Sequence, residues 1–154
     1  MGGFAFQDAN AQLRVSLKLN IATQPVWGPV GYDHVEYYYM PDIDAYYYVP
    51  TSQYIYLQSG RWIFASSLPS RFRYDINTGY KVVINDRTPY RRPDVYRARY
   101  ASYKGRHDQE TIRNSHDSRY FENKNHPEHD KWKQEHRGNN GNGNGNGNGR
   151  RRHN

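Results

Sequence analysis

The stretch Gln53-Tyr54-Ile55-Tyr56-Leu57-Gln58-Ser59-Gly60-Arg61-Trp62-Ile63-Phe64-Ala65 decides the fold. Two runs rich in aromatic and β-branched residues flank a Ser-Gly pair, the pattern of a hairpin closed by a tight turn. A two-residue loop places Gln58 opposite Arg61, Leu57 opposite Trp62 and Ile55 opposite Phe64, and a four-residue loop gives the same pairs. Side chains alternate along a strand, so one face carries Ile55, Leu57, Trp62 and Phe64, and the other carries Tyr54, Tyr56, Ile63 and Ala65. Neither face is polar. The first set holds the larger aliphatic and indole area and is assigned to the core; the tyrosine face is expected to stay partly exposed.

Upstream, Val35 to Met40 and Ala45 to Val49 read as two further short strands, with turns at Pro41-Asp42 and Pro50-Thr51-Ser52. A four-residue connection from Pro50 to Gln53 adds Tyr47 and Val49 to the tyrosine face, whereas a slip of one residue flips them. Tyr47, Tyr54 and Tyr56 are therefore the candidate binding face. Earlier still, Leu13 to Ile21 alternates apolar with polar and predicts a half-buried strand. Gln24-Pro25-Val26-Trp27-Gly28-Pro29 ends it, since prolines break the ladder, and Trp27 is expected to plug one end of the core.

Downstream, Tyr80 to Asn85 predicts a strand with a Val82-Val83-Ile84 centre. Pro93 to Lys104 predicts a helix: proline suits a first turn, and Tyr96, Tyr100 and Tyr103 recur at helical spacing as a stripe that docks on the sheet. The fold class that follows is mainly β, a small antiparallel meander sheet with one short helix packed on it, plus a disordered C-terminal tail. The domain is read as residues 12–104. In residues 105–154 aliphatic side chains nearly vanish and Asn139 to Gly149 is an Asn/Gly repeat, so disorder is predicted there.

Composition agrees with a thin sheet. The 154-residue chain is 35% hydrophobic but has 16 tyrosines, whose rings bury area while their hydroxyls reach for partners at the edge. Zero cysteines exclude a disulfide framework and a Cys-based zinc site. No run approaches the ~18 apolar residues of a membrane span. Phe4-Ala5-Phe6 and Ala9-Asn10-Ala11 resemble the end of a secretory signal peptide with its cleavage site, so residues 1–11 are read as its remnant and the protein as exported.

Charge is unevenly placed. Residues 1–60 carry 2 basic and 5 acidic side chains, residues 61–106 carry 11 and 3, and the remainder 9 and 7. Arg91, Arg92, Arg97, Arg99 and Arg106 flank the expected helix, with Arg92, Arg99 and Arg106 on one face. Arginine grips oxyanions with a planar fork, which makes these five the candidate anion-binding residues; a solvated surface is the plainer alternative. Catalytic chemistry finds little footing. His34 is the only histidine inside the expected fold, and beside Asp33 it reads as a surface or capping pair. Asp42 and Asp44 are explained as turn chemistry rather than as paired carboxylates. No phosphate-binding glycine loop is present. The histidines of the tail, His107, His116, His126, His129, His136 and His153, offer weak adventitious divalent-metal binding but no dedicated site. No cofactor is expected.

The order of Leu13 to Ile21, Gln24 to Pro29, the triplets Tyr37-Tyr38-Tyr39 and Tyr46-Tyr47-Tyr48, Gly60-Arg61-Trp62 to Leu68-Pro69, and Tyr80 to Asn85 resembles exported Tyr-rich proteins of the Bacteroidetes, a group of no known activity. The resemblance implies an envelope or extracellular location and brings no catalytic residue. The expected function is thus a non-enzymatic structural or interaction module of the bacterial envelope, contacting an anionic polymer or glycan through its tyrosine face and arginine-rich segment. The alternative is a cytoplasmic nucleic-acid-binding protein using residues 61–106 and the cationic tail.

Overall fold

A computed structural model describes residues 18–138. Five strands, β1 (Tyr37–Met40), β2 (Ala45–Tyr48), β3 (Gln53–Gln58), β4 (Arg61–Ala65) and β5 (Val82–Ile84), form one antiparallel sheet in the order β4-β3-β2-β1-β5. The first four make a meander and β5 returns to pair with β1. Helix α1 (Pro93–Arg99) packs on this sheet and α2 (His129–Arg137) lies at the end of the described chain.

The hairpin register is the expected one, with Gln58 opposite Arg61, Leu57 opposite Trp62 and Ile55 opposite Phe64. Ser59 (φ 50°) and Gly60 (φ 73°) both lie in the left-handed region, the primed turn whose twist matches that of the strands it joins. The Pro50 connection is four residues long, pairing Tyr48 with Gln53 and Tyr47 with Tyr54.

The faces depart from expectation. Tyr47, Tyr56, Val49 and Tyr38 form a buried cluster under Trp27, Leu68, Phe72, Tyr74 and Ile76. The tyrosine face is thus the more deeply buried side of the hairpin, while Leu57 and Phe64, assigned to the core, are each 46% exposed. Two covering segments remote in sequence cause the exchange. Trp27 meets Tyr38 and Tyr47 edge-on at 5.1 and 4.8 Å, which is the plugging role expected of it. On the opposite face Tyr96, Tyr100 and Tyr90 cover Tyr39, Tyr46, Ile55 and Trp62 but stop short of the hairpin tip.

Helix α1 ends at Arg99, earlier than expected, because Tyr100 (φ −112°) leaves helical geometry and Ala101–Tyr103 continues as a 3-10 turn. Tyr96 and Tyr100 dock on the sheet, whereas Tyr103 turns aside to stack on Tyr80 at 4.7 Å. Of the expected strand Leu13 to Ile21, residues 13–17 lie outside the described residues; Lys18 to Asn20 is not strand and Ile21–Thr23 is a 3-10 turn. The physical reason is a side chain acting as backbone. The Asn20 amide donates to the Val35 carbonyl (2.7 Å) and accepts from the Val35 N–H (2.9 Å), supplying both bonds of a strand neighbour. Gln109 does the same for Lys81 (2.8 and 2.7 Å), just before β5 begins at Val82.

The domain also extends beyond Lys104, contrary to the expected boundary. Ile112 and Tyr120 close a third cluster with Ile21 and Val26, and Pro29 bridges Thr111. Polar side chains make this possible with few aliphatics: buried Asn123 donates to the carbonyls of Ile21 (3.1 Å) and Gln24 (2.6 Å), about 100 residues away in sequence. The expected disorder of residues 139–154 falls outside the described residues.

Candidate anion-binding site

The tyrosines chosen from sequence are structural. Tyr47 and Tyr56 are buried and Tyr54 is half-buried, edge-on to Tyr47 at 4.9 Å, so the three do not form the exposed face expected of them. This is a correction to the candidate binding face, and its cause is the cover provided by Trp27 and residues 68–76.

The five arginines divide. Arg97 donates to Asp44 (3.1 and 2.5 Å) and to Asp94 (2.7 Å), so its charge is committed to carboxylates of the β1–β2 turn and of its own helix. Asp44 beside it holds the guanidinium protonated even more firmly than usual. Arg106 is bound to Asp108 (2.9 and 2.5 Å) and lies over the Tyr80 and Tyr103 rings at 4.9 and 5.2 Å. It also lies beyond the end of α1, so Arg92, Arg99 and Arg106 do not share a helix face. Arg92 sits 4.0 Å from Asp86. Arg91 and Arg99 are exposed, and among the described residues neither has an ion-pairing carboxylate.

Arg87 and Arg99 border two clefts that share Asn85 and Asp86 at the C-terminal end of β5, with Arg92 reaching Asp86 from nearby. The larger cleft, about 430 Å³, is lined by Arg87, Thr88, Glu36 and the rings of Tyr37 and Tyr48, which stack at 4.6 Å. The smaller, about 180 Å³, lies between Asp86, Arg99, Tyr96 and Tyr100. The polar turn Asn85-Asp86-Arg87 directly after an apolar strand is the sequence signal for this place, and it lies outside the five candidate arginines.

Each polar group here has a traceable state. Asn85 is spent on backbone, accepting from Glu36 N–H (2.8 Å) and donating to the His34 carbonyl (3.4 Å). Asp86 accepts the Tyr96 hydroxyl in a short hydrogen bond, and burial together with that bond pushes the Tyr96 phenol up. Tyr37 is pushed up to about 12, first by burial and then by the neighbouring Tyr48. Glu36 is paired with His34 Nε2 at 3.1 Å, so His34 pairs with Glu36 rather than Asp33. Thr88 holds φ 45°, a conformation that a β-branched residue rarely adopts, and such strain concentrates where ligands bind. The arrangement offers guanidinium donors, carboxylate acceptors and an aromatic wall.

Other candidate chemistry is absorbed by the fold. Asp42 accepts Gly105 N–H (2.7 Å) and Asp44 accepts the Tyr39 hydroxyl (2.9 Å), so the two carboxylates serve different parts of the chain. His126 is buried, accepting Glu128 N–H on Nδ1 (3.0 Å) and donating from Nε2 to Ser115 O (3.1 Å). His129 and His107 likewise bond backbone carbonyls, of Phe121 (2.8 Å) and Thr78 (3.0 Å). Among the described residues there is no metal-binding group of three His, Asp or Glu, and no helix long and apolar enough to cross a membrane. In comparison with known proteins, the chain matches no family model, and no curated protein or solved structure is significantly similar to it.

Proposed function

We propose that the chain is a non-enzymatic binding module of the bacterial envelope that holds an acidic glycan at the paired clefts around Asn85 and Asp86. The observation that carries this reading is the placement of uncommitted Arg87 and Arg99 on either side of Asp86, beside the Tyr37–Tyr48 stack. A sugar ring packs on the aromatic wall, Asp86 and Glu36 accept its hydroxyls, and the arginines take its carboxylate or sulfate groups. The two carboxylates favour a hydroxylated sugar over a bare phosphate polymer, which is why this reading stands ahead of nucleic-acid binding. Export is supported by the cleavage-like Ala9-Asn10-Ala11 and by the resemblance to exported Tyr-rich proteins.

Calorimetric titration with polygalacturonate, with dextran as the uncharged control and a single-stranded oligonucleotide as the competing polyanion, tests it. Polygalacturonate should bind, weaken with salt, and lose at least about tenfold in affinity in the Arg87→Ala/Arg99→Ala double variant. Equal or tighter binding of the oligonucleotide, or no effect of the double variant, refutes it.

A further inference from the structure

The two edges of the sheet are not alike. At the β5 edge the strand is three residues long and the flanking Lys81 backbone is already taken by the Gln109 side chain. At the β4 edge the five residues Arg61–Ala65 carry no proline, bulge or central charge, the usual guards of an exposed edge.

The direction of the edge groups follows from the turn. In a two-residue hairpin the closing pair Gln58 and Arg61 exchanges both hydrogen bonds, so Tyr56 with Ile63 and Tyr54 with Ala65 do the same. Trp62 and Phe64 are the intervening pairs, and their N–H and C=O groups point away from β3. Among the described residues no backbone or side-chain group bonds to them.

We infer that β4 pairs with β4 of a second copy of this chain, antiparallel about Ile63, to give a ten-stranded sheet across a two-fold axis. The strand is self-complementary in that register. Trp62 and Phe64 of one copy meet Phe64 and Trp62 of the other as hydrogen-bonded pairs, satisfying all four outward groups of each strand, and Ile63 meets Ile63 on the axis. Arg61 falls opposite Ala65, so no like charges face each other. Paired residues share a face, so Trp62 and Phe64 of both copies form one aromatic band, continued by Tyr90, which packs on Phe64 at 5.4 Å and Trp62 at 5.9 Å. The exposure of Phe64 and Leu57 is the apolar surface this band covers. Any other register sets Arg61 nearer its own copy or leaves outward groups unpaired.

Sedimentation equilibrium combined with amide exchange on the full chain tests the inference. The expected result is a monomer–dimer equilibrium in which the Trp62 and Phe64 amides slow at least about tenfold as concentration rises, while the Ile63 amide is protected at every dilution. Phe64→Lys, at an exposed position, should leave a folded monomer. A mass that stays monomeric up to millimolar concentration overturns the inference. So does protection of Trp62 and Phe64 that is independent of concentration, which means an intrachain partner, or a dimer that survives in folded Phe64→Lys. If Phe64→Lys fails to fold, the exchange pattern of the unsubstituted chain decides alone.

Discussion

Raising the pH should unfold this protein abruptly, because its core is built from phenols. Burial pushes Tyr38, Tyr39, Tyr46 and Tyr74 far above the ordinary phenol range and Tyr37 up to about 12. A raised folded pKa means that the unfolded chain releases its proton first, so stability is intact below about pH 10 and falls as pH climbs past the unfolded value. At about pH 11 each of these five rings forfeits about 1.4 kcal/mol, about 7 kcal/mol together, which is comparable to the whole stability of a small domain. Lys81 works in the opposite direction. Its side chain is buried, donating to Ile76 O (2.6 Å) over the Trp27 ring, and burial lowers its pKa to about 8. The folded state therefore holds that proton less tightly than the unfolded one, so stability rises from about pH 8 to about pH 10.5. The sum is a stability maximum near pH 9, where five phenols begin to outweigh one lysine, followed by a steep alkaline limb. Tyrosinate absorbance and far-ultraviolet circular dichroism recorded together should change in one cooperative step between about pH 10.5 and 12. A gradual phenol titration centred near pH 10 with the dichroism unchanged would refute the buried-ring reasoning.

Tyr46→Phe should raise stability by about 1 kcal/mol in chemical denaturation, since the Tyr46 hydroxyl is buried without a partner. Lys81→Met should gain about 2 kcal/mol at neutral pH, about 3 from removing the buried charge less about 1 for the lost bond to Ile76, and should abolish the rise that leads up to the stability maximum. Ser59→Asn should add about 0.5 kcal/mol by suiting the left-handed turn residue, read as a higher thermal midpoint. Ending the chain at Lys104 should lower that midpoint by several degrees, because Ile112, Tyr120 and the Gln109 clamp are lost; an unchanged midpoint would restore the shorter domain.

The hairpin was legible because its turn and its pairing are local: Ser59-Gly60 fixes the register of Gln53 to Ala65 without outside help. Which face lies inside was not, because both are apolar and the choice falls to Trp27 and Phe72, which lie outside the hairpin. The candidate site was legible as a basic segment only. Pairing of Arg97 with Asp44, 53 residues away, and of Arg106 with Asp108 removes two of its five members, and no spacing rule distinguishes those from Arg99. Residues 105–138 escaped notice because their anchoring comes from polar side chains such as Asn123 and His126, which hydropathy scores as solvent-seeking.

The amide clamps carry a liability that ordinary strand pairing lacks. A backbone N–H is chemically durable, but a carboxamide hydrolyses slowly to an acid, and at Asn20 that change replaces a donor by an acceptor facing the Val35 carbonyl. The sheet would then age at its amide-held margins first, around Asn20, Asn85 and Gln109, while the tyrosine ladders between them stayed whole.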